Sequence, residues 1–381
     1  MDGLLSEREQ AIRHRVKQFV ETELTPISLM VERQGRIPDD VVEKMRNMGL
    51  FGLAIPQEYG GLALSTLGEV AIYEELTKTN ACFRSRIGTS NGIGSLGILF
   101  DGTEDQKKTY LPRIASGQWT AAFALTEPNA GSDAANISTT AVLEKDAWVI
   151  NGTKQFITNG DCAEVFTTIV VTDENKRARG GFSAFIIERD RPGFIVGPPD
   201  DKMGLKGSQT TELVFKDCKV PRDNVIGGMA MVGQGFKTAM RVLDKGRLTM
   251  GACALGAAQK LLDMSVAHVK SSMRSVDDVQ ATQFILADMA TEIHAARQML
   301  YHAARRRDQG YAVTREASMV KLFCTETASR VADWAMDIFG DQGCLQASPI
   351  EMFLRDVRLY RIYEGTSEIQ RLLIARSLLK A

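Results

Sequence analysis

Histidine is scarce in this chain, at four in 381 residues: His14, His268, His294 and His302. His294 and His302 could share a helix face, but no third ligand stands at metal spacing, so no metal is expected. The six cysteines, Cys82, Cys162, Cys218, Cys253, Cys324 and Cys344, form no CxxC pair. Their scatter suits reduced structural thiols rather than a disulfide framework. No run of about 18 apolar residues occurs, so no membrane insertion is expected. Charge of one sign is missing too: the formal net charge is −1, and nothing advertises nucleic acid or an anionic surface. Walker A and HExxH patterns are absent, as are internal repeats and low-complexity tracts. The N-terminal run MDGLLSEREQAIRHRVKQFV enters an amphipathic helix directly, without a signal or transit pattern, so a cytoplasmic protein is expected.

What is present is ordinary globular composition, 44% apolar and 24% charged, in a chain long enough for two or three domains. Residues 1–118 read as helical, with apolar spacing of three and four in EREQAIRHRVKQFVETEL, PDDVVEKMRNMGL and TLGEVAIYEELTKT. Residues 119–226 change texture to short runs such as TAAFALTE, VFTTIVVTD and GFSAFIIERD, bounded by turn residues. They predict a small β barrel or sandwich. Residues 227–381 return to long helical patterns. The expected fold is α+β, mainly α, with helical domains flanking a β domain. The GxGxxG match Gly92-Ile93-Gly94-Ser95-Leu96-Gly97 falls inside the helical region, without the preceding strand a dinucleotide fingerprint needs, and reads as close helix packing. The run Arg305-Arg306-Arg307 suits a helix C-terminus.

Three segments carry chemistry. In RIYEGTSEIQRLLIAR, Glu364 precedes Gly365-Thr366-Ser367 and an apolar-periodic helix. Thr and Ser there are capping types, and Glu368 suits a helix's first turn. A carboxylate at a loop-to-helix junction, beside free backbone N–H groups, suits a base that removes a proton while donors hold the developing anion. A capped terminal helix with a surface Glu fits the same residues. ALTEPNAGSD (Ala124–Asp133) and Phe156-Ile157-Thr158-Asn159-Gly160 offer hydroxyls and β edges that could grip a flat polar ring; an Asn-Ala-Gly turn plus an ordinary hairpin is the alternative.

Taken together and in order, TEPNAGSD, FITNG and IYEGTSEIQR resemble the acyl-CoA dehydrogenase family over essentially the whole chain. The resemblance implies an N-terminal helical domain, a middle β domain and a C-terminal four-helix bundle. It also implies FAD, an acyl-CoA substrate, a homotetramer or homodimer, and electron transfer to an electron-transfer flavoprotein. By this resemblance Glu364 is the base that takes the α-proton while FAD N5 takes the β-hydride. Phe123, Ala124, Leu125, Thr126 and Ser132, then Phe156, Ile157 and Thr158, match flavin-contacting positions; Ser132 also approaches the thioester. Thr366, Ser367, Glu368, Gln280, Gly340 and Gly343 match further FAD positions. Asp244 and Arg247 of LDKGR, with Gly365 and Arg376, match the substrate side. Some members carry their base immediately before that Arg; here Gly246 stands there, which favours Glu364.

The pattern departs in two places. The family's Arg-x-x-Phe-Gly element, whose Arg reaches FAD across a subunit interface, is replaced around His268-Val269-Lys270, leaving Lys270 or Arg274 as point charges. Phe-Gly-Gly-x-Gly becomes Phe339-Gly340-Asp341-Gln342-Gly343. Phe83-Arg84-Ser85 resembles the Tyr-Arg-Ser of glutaryl-CoA dehydrogenases, so Arg84 is a candidate for a distal acyl carboxylate; the alternative is a solvent-facing Arg84 or Arg86. The expected activity is α,β-dehydrogenation of an acyl-CoA. Enoyl-CoA reduction, oxidative decarboxylation of a dicarboxylyl-CoA, and a flavin-poor acyl-CoA or acyl-carrier-binding homologue stand as alternatives.

Overall fold

The computed structural model describes residues 3–272 and 280–379; Arg274 lies outside them. Seven α-helices open the chain: α1 (Glu7–Phe19), α2 (Thr25–Gln34), α3 (Asp39–Asn47), α4 (Thr66–Leu76), α5 (Cys82–Asn91), α6 (Leu96–Asp101) and α7 (Glu104–Ala115). Local chemistry sets their starts. Ser6 with Glu9, and Thr103 with Gln106, form capping boxes at α1 and α7, each satisfying two N–H groups.

Helix α4 differs from its sequence pattern. The spacing predicts one apolar face, yet all eleven residues are buried, Glu69, Glu74 and Glu75 included. The helix packs against α1 and two C-terminal helices, and each carboxylate meets a cation. Lys245 lies 2.6 Å from Glu69, Arg297 2.8 Å from Glu74, and Arg13 and Lys78 2.5 and 2.7 Å from Glu75. Buried charge is tolerated only in such company. Asp308 then caps α4 from the far side of the molecule, accepting the N–H groups of Thr66 and Leu67 at 2.7 and 3.0 Å.

Seven strands follow: β1 (Ala121–Ala124), β2 (Thr140–Glu144), β3 (Ala147–Thr158), β4 (Val165–Val171), β5 (Phe182–Glu188), β6 (Phe194–Pro199) and β7 (Thr210–Pro221). They form one curled sheet in the order β1-β4-β2-β3-β7-β6, with β5 on β4. Strand β4 is buried along its whole length. Val165 and Ile169 face a core shared with Tyr110 and Ile114 of α7, while Phe166 and Val170 face the interior of the curl with Trp148, Phe185 and Phe215. Burial on both faces is why this strand reads as a continuous apolar run.

The remaining helices are α8 (Gly235–Ser272), α9 (Gln280–Asp308), α10 (Thr314–Phe339), α11 (Pro349–Tyr360) and α12 (Ser367–Leu379). Helix α10 is their hub and packs against the other four. The GxGxxG segment spans the end of α5 and the start of α6. A Cβ on Gly94 would lie 2.8 Å from the Ala121 backbone, so this glycine serves a close approach of helix and sheet.

One ion pair holds the β domain's first loop. Lys154 is fully buried on β3 and lies 2.8 Å from the Glu127 carboxylate. Glu127 also accepts the Ser138 and Thr139 N–H groups at 2.6 and 3.0 Å, and Lys154 donates to the Leu125 carbonyl at 3.1 Å. These contacts drop the Glu127 carboxyl to about 2 against its burial, while burial lowers the Lys154 ammonium to about 8. A depressed carboxyl adds stability above its unfolded value near 4.5 and loses it as pH falls towards 2. Lys154→Met strands a buried carboxylate and is expected to cost about 3–5 kcal/mol in denaturant unfolding at neutral pH. Adding Glu127→Gln is expected to recover part of that loss, and the recovery should vanish as the pH falls below the carboxyl's unfolded value near 4.5, where the unpaired acid is protonated in both states.

Candidate active site

Glu364 sits on a left-handed turn between α11 and α12. Its φ is 53° and that of Gly365 is 93°. A non-glycine residue there costs on the order of 1 kcal/mol, so the surroundings must hold it. Helix α10 does so at both ends of the turn. The Lys321 ammonium donates to the Gly365 carbonyl at 2.7 Å. Glu326 accepts the Ser367 hydroxyl at 2.6 Å and pairs with Arg361 at 3.0 Å. From α12, the Gln370 amide donates to the Gly365 and Glu364 carbonyls at 3.0 and 3.4 Å. Thr366 closes the α12 N-terminus, its hydroxyl accepting the Ile369 N–H at 3.3 Å.

The Glu364 carboxylate has no hydrogen bond or ion pair among the described residues, and its Oε2 is buried. Burial raises its pKa; Arg84, Lys321 and Arg247 pull it back down. Three cations therefore surround an acid that none of them neutralises by contact. A group so arranged is a base that keeps its lone pairs available. Gly246 explains where the space for it comes from: a Cβ there would lie 2.0 Å from Oε2.

The sequence-derived substrate residues divide into two groups. Arg84 is 7% exposed, which overturns the solvent-facing alternative for it. Its guanidinium donates to the Thr249 hydroxyl at 3.0 Å and lies 4.7 Å over the Tyr73 ring, leaving Nε without a partner. Arg86 is half-buried and donates to the Thr120 hydroxyl at 2.8 Å. Arg247 is buried beside Glu364 and bonded to Asp244, whose second oxygen accepts the Thr314 hydroxyl at 2.8 Å. Arg84 and Arg247 thus join Glu364 and Gly365 in one cluster. Arg376 does not; it is exposed on α12.

The β-domain residues lie on two adjacent segments. Phe123 and Ala124 end β1, and Leu125 and Thr126 continue from it. The Gln155 N–H donates to the Thr126 carbonyl at 2.9 Å. Between Lys154 and Ile157 the β3/β7 register slips, and this bulge gives Phe156 a φ of 58° and leaves it 58% exposed. Ile157 is buried, Thr158 half-buried and Ser132 exposed. Among the described residues the hydroxyls of Thr126, Ser132 and Thr158 take no hydrogen bond. An aromatic ring held outward beside unused hydroxyls fits a flat polar ring system. Asn159 latches this strand to α5, its amide donating to the Ser85 carbonyl at 3.1 Å and the Thr89 hydroxyl at 2.7 Å. Ser367 is buried and Glu368 exposed at the start of α12.

Gln280, at the start of α9, and Gly340, after α10, are exposed and stand apart from the Glu364 cluster; Gly343 is buried in the following turn. The two departing segments meet each other, for His268 stacks on Phe339 at 4.2 Å. Among the described residues no group of three His, Cys, Asp or Glu is placed to hold a metal. No helix there is long and apolar enough to cross a membrane.

Sequence reasoning missed Lys321, Glu326, Gln370 and the Glu127–Lys154 pair. A signal existed for two of them. Lys321 falls on the apolar stripe Ala317, Val320, Cys324, Ala328 at helical spacing, and Lys154 falls on the Trp148, Ile150 face of β3 at strand spacing.

Comparison with known proteins agrees with this arrangement. The chain matches the families described as acyl-CoA dehydrogenase N-terminal domain over residues 6–118, middle domain over 122–218 and C-terminal domain over 233–379. It is 40% identical over 386 residues to an acryloyl-CoA reductase (NADH) of Anaerotignum propionicum, covering 100% of this chain and 96% of the relative. The structure of butyryl-CoA dehydrogenase from Megasphaera elsdenii superposes with a TM-score of 0.94 at 35% identity, over 98% of this chain and 99% of that one. An acyl-CoA dehydrogenase complexed with FAD from Bacillus anthracis gives a TM-score of 0.90 at 31% identity, over 99% of this chain and 67% of the other. With the three domains matched in order and relatives similar along their full length, the chain belongs to the acyl-CoA dehydrogenase family.

Proposed function

We propose that this protein is an FAD-dependent acyl-CoA dehydrogenase in which Glu364 takes the α-proton. The observation that carries this reading is the Glu364 carboxylate itself, with Oε2 buried and neither oxygen paired, on a strained turn that α10 and α12 hold from both sides. A thioester α-proton is weakly acidic, so the base must be strong and fixed. Burial supplies the basicity, and the clamped turn supplies the position. The surrounding cations work against burial and favour the charged form.

FAD, when bound, accepts the hydride leaving the β-carbon. The residues that would hold it are Phe123, Ala124, Leu125, Thr126, Ser132, Phe156, Ile157 and Thr158, with Thr366, Ser367 and Glu368 at the α12 end. Gln280, Gly340 and Gly343 belong to this set if a second copy completes the site, as a homotetramer or homodimer would allow. On the substrate side, Gly365 and Arg247 flank the base, while Asp244, Arg376 and Ser132 are candidates for the CoA arm and thioester. A cytoplasmic setting and an electron-transfer flavoprotein as acceptor complete the reading. The relative named acryloyl-CoA reductase (NADH) favours a second direction, in which Glu364 returns a proton to the α-carbon of an enoyl-CoA.

Glu364→Gln is expected to bind FAD normally but to lose at least about 10³-fold in flavin bleaching by acyl-CoA, measured anaerobically by stopped flow. A Gln variant that bleaches at the parent rate rules out this base.

Arg84 brings a buried guanidinium with an unused Nε close enough to lower the Glu364 pKa, which supports a substrate with a polar or acidic acyl tail. Arg84→Ala should then reduce kcat/KM on a dicarboxylyl-CoA at least about tenfold more than on a plain acyl-CoA of equal length, a difference set by one lost charge-assisted pair. Equal losses on the two would remove Arg84 from tail recognition.

A further inference from the structure

Lys321 is a buried cation on the wrong face of its helix. Its side chain has no exposure, on a stripe of α10 otherwise made of Ala317, Val320, Cys324 and Ala328. It belongs to no ion pair among the described residues, and its hydrogen bond is to a neutral atom, the Gly365 carbonyl at 2.7 Å. An ammonium in such a place carries a desolvation cost that one carbonyl does not offset. A neutral donor would hold the carbonyl more cheaply. The charge must therefore answer to something nearby, and that is the unpaired Glu364 carboxylate, one residue before the carbonyl Lys321 holds.

We propose that Lys321 is a positioning residue that acts on the base in two separable ways: its hydrogen bond fixes the Glu364–Gly365 turn, and its charge, held short of contact, sets the pH at which Glu364 becomes available. The inference rests on Glu364 being the base.

The geometry separates this role from simple neutralisation. A direct Lys–Glu pair would occupy the carboxylate oxygens and make them poor acceptors for a substrate proton. By binding the carbonyl instead, Lys321 leaves both oxygens open while its field still favours the charged form. The cations that face Glu364 are Arg84 from α5, Arg247 from α8 and Lys321 from α10; Cys253 on α8 and the adjacent Tyr363 also feel its charge. Arg247 is already engaged with Asp244 and Arg84 with Thr249. Lys321 is faced by Glu364, Glu326, Glu368 and Arg247, and Glu326 is itself engaged with Ser367 and Arg361. Burial brings the Lys321 ammonium down to about 8, so it carries its charge below that pH. The sign follows: removing the cation raises the Glu364 pKa and moves the acid limb of the reaction upward.

The test uses the holoenzyme and three Lys321 variants, each compared with its own Glu364→Gln counterpart. The rate of flavin reduction by acyl-CoA is followed from pH 5 to 9 by anaerobic stopped flow. In parallel, the protonated-carboxyl infrared band of Glu364, obtained as the parent minus Glu364→Gln difference in each Lys321 background, is titrated without substrate. Lys321→Met is expected to move the acid limb and the infrared midpoint upward together by about one pH unit, a tenfold change in proton affinity. Lys321→Gln, which keeps a donor for the Gly365 carbonyl but no charge, is expected to show the same shift with a smaller loss of the plateau rate. Lys321→Arg is expected to keep both midpoints near the parent values. The proposal is overturned if the Met variant loses rate uniformly at all pH with its limb unmoved, or if Arg shifts as far as Met. Should the Met variant fail to fold, the Gln variant decides alone, and an unmoved midpoint in it overturns the proposal. If Glu364→Gln retains the acid limb of the parent, the assignment of the base has failed instead, whatever the Lys321 variants do.

Discussion

A half-buried carboxylate with no partner is the constraint around which this molecule is arranged. Left to itself, Glu364 would take a proton, swing to water or pair with one of the three cations near it. Each escape is closed by something specific. The left-handed turn fixes where the side chain starts, and α10 and α12 hold that turn through Lys321, Glu326 and Gln370. Arg247 and Arg84 are engaged with Asp244 and Thr249, so their charge reaches the carboxylate while their hydrogen bonds go elsewhere. The result is an acceptor whose basicity comes from its surroundings and whose lone pairs remain unspent.

Such a site needs a stiff frame, and the frame here is polar as well as apolar. Helix α4 is buried on all sides with its three glutamates matched to cations drawn from α1, α8 and α9 and from the turn after α4 itself. Asp308 then joins the end of α9 to the start of α4. In the β domain, Glu127 and Lys154 pin the loop that leaves β1, and Asn159 bonds the neighbouring strand to the helix bearing Arg84. Buried polar groups of this kind restrict how the elements can sit, because a shifted register would leave a charge unpaired.

The domain layout was legible because period and composition change where the architecture changes: the helical spacing ends before Ala121 and resumes after Pro221. The cap at Thr366 was legible because caps are local. The GxGxxG segment was read as close helix packing because its flanks were helical, but the approach its Gly94 serves is to the sheet at Ala121. What was not legible lay in contacts between residues distant in sequence. Lys321 meets Gly365 across 44 positions and Asp308 meets Thr66 across 242, and periodicity carries no information about such partners. The all-round burial of α4 escaped for the same reason: three glutamates signal a wet face unless their cations are known. The outward turn of Phe156 came from a bulge set by pairing with β7, which a single strand's sequence does not disclose.

Gly246 works as a clearance in its helix. A Cβ at this position would lie 2.0 Å from a carboxylate oxygen of Glu364, and the three atoms nearest to it all belong to that side chain. A larger residue here would push aside the free end of the glutamate, not the backbone. The glycine therefore governs where the acid rests rather than whether the helix forms.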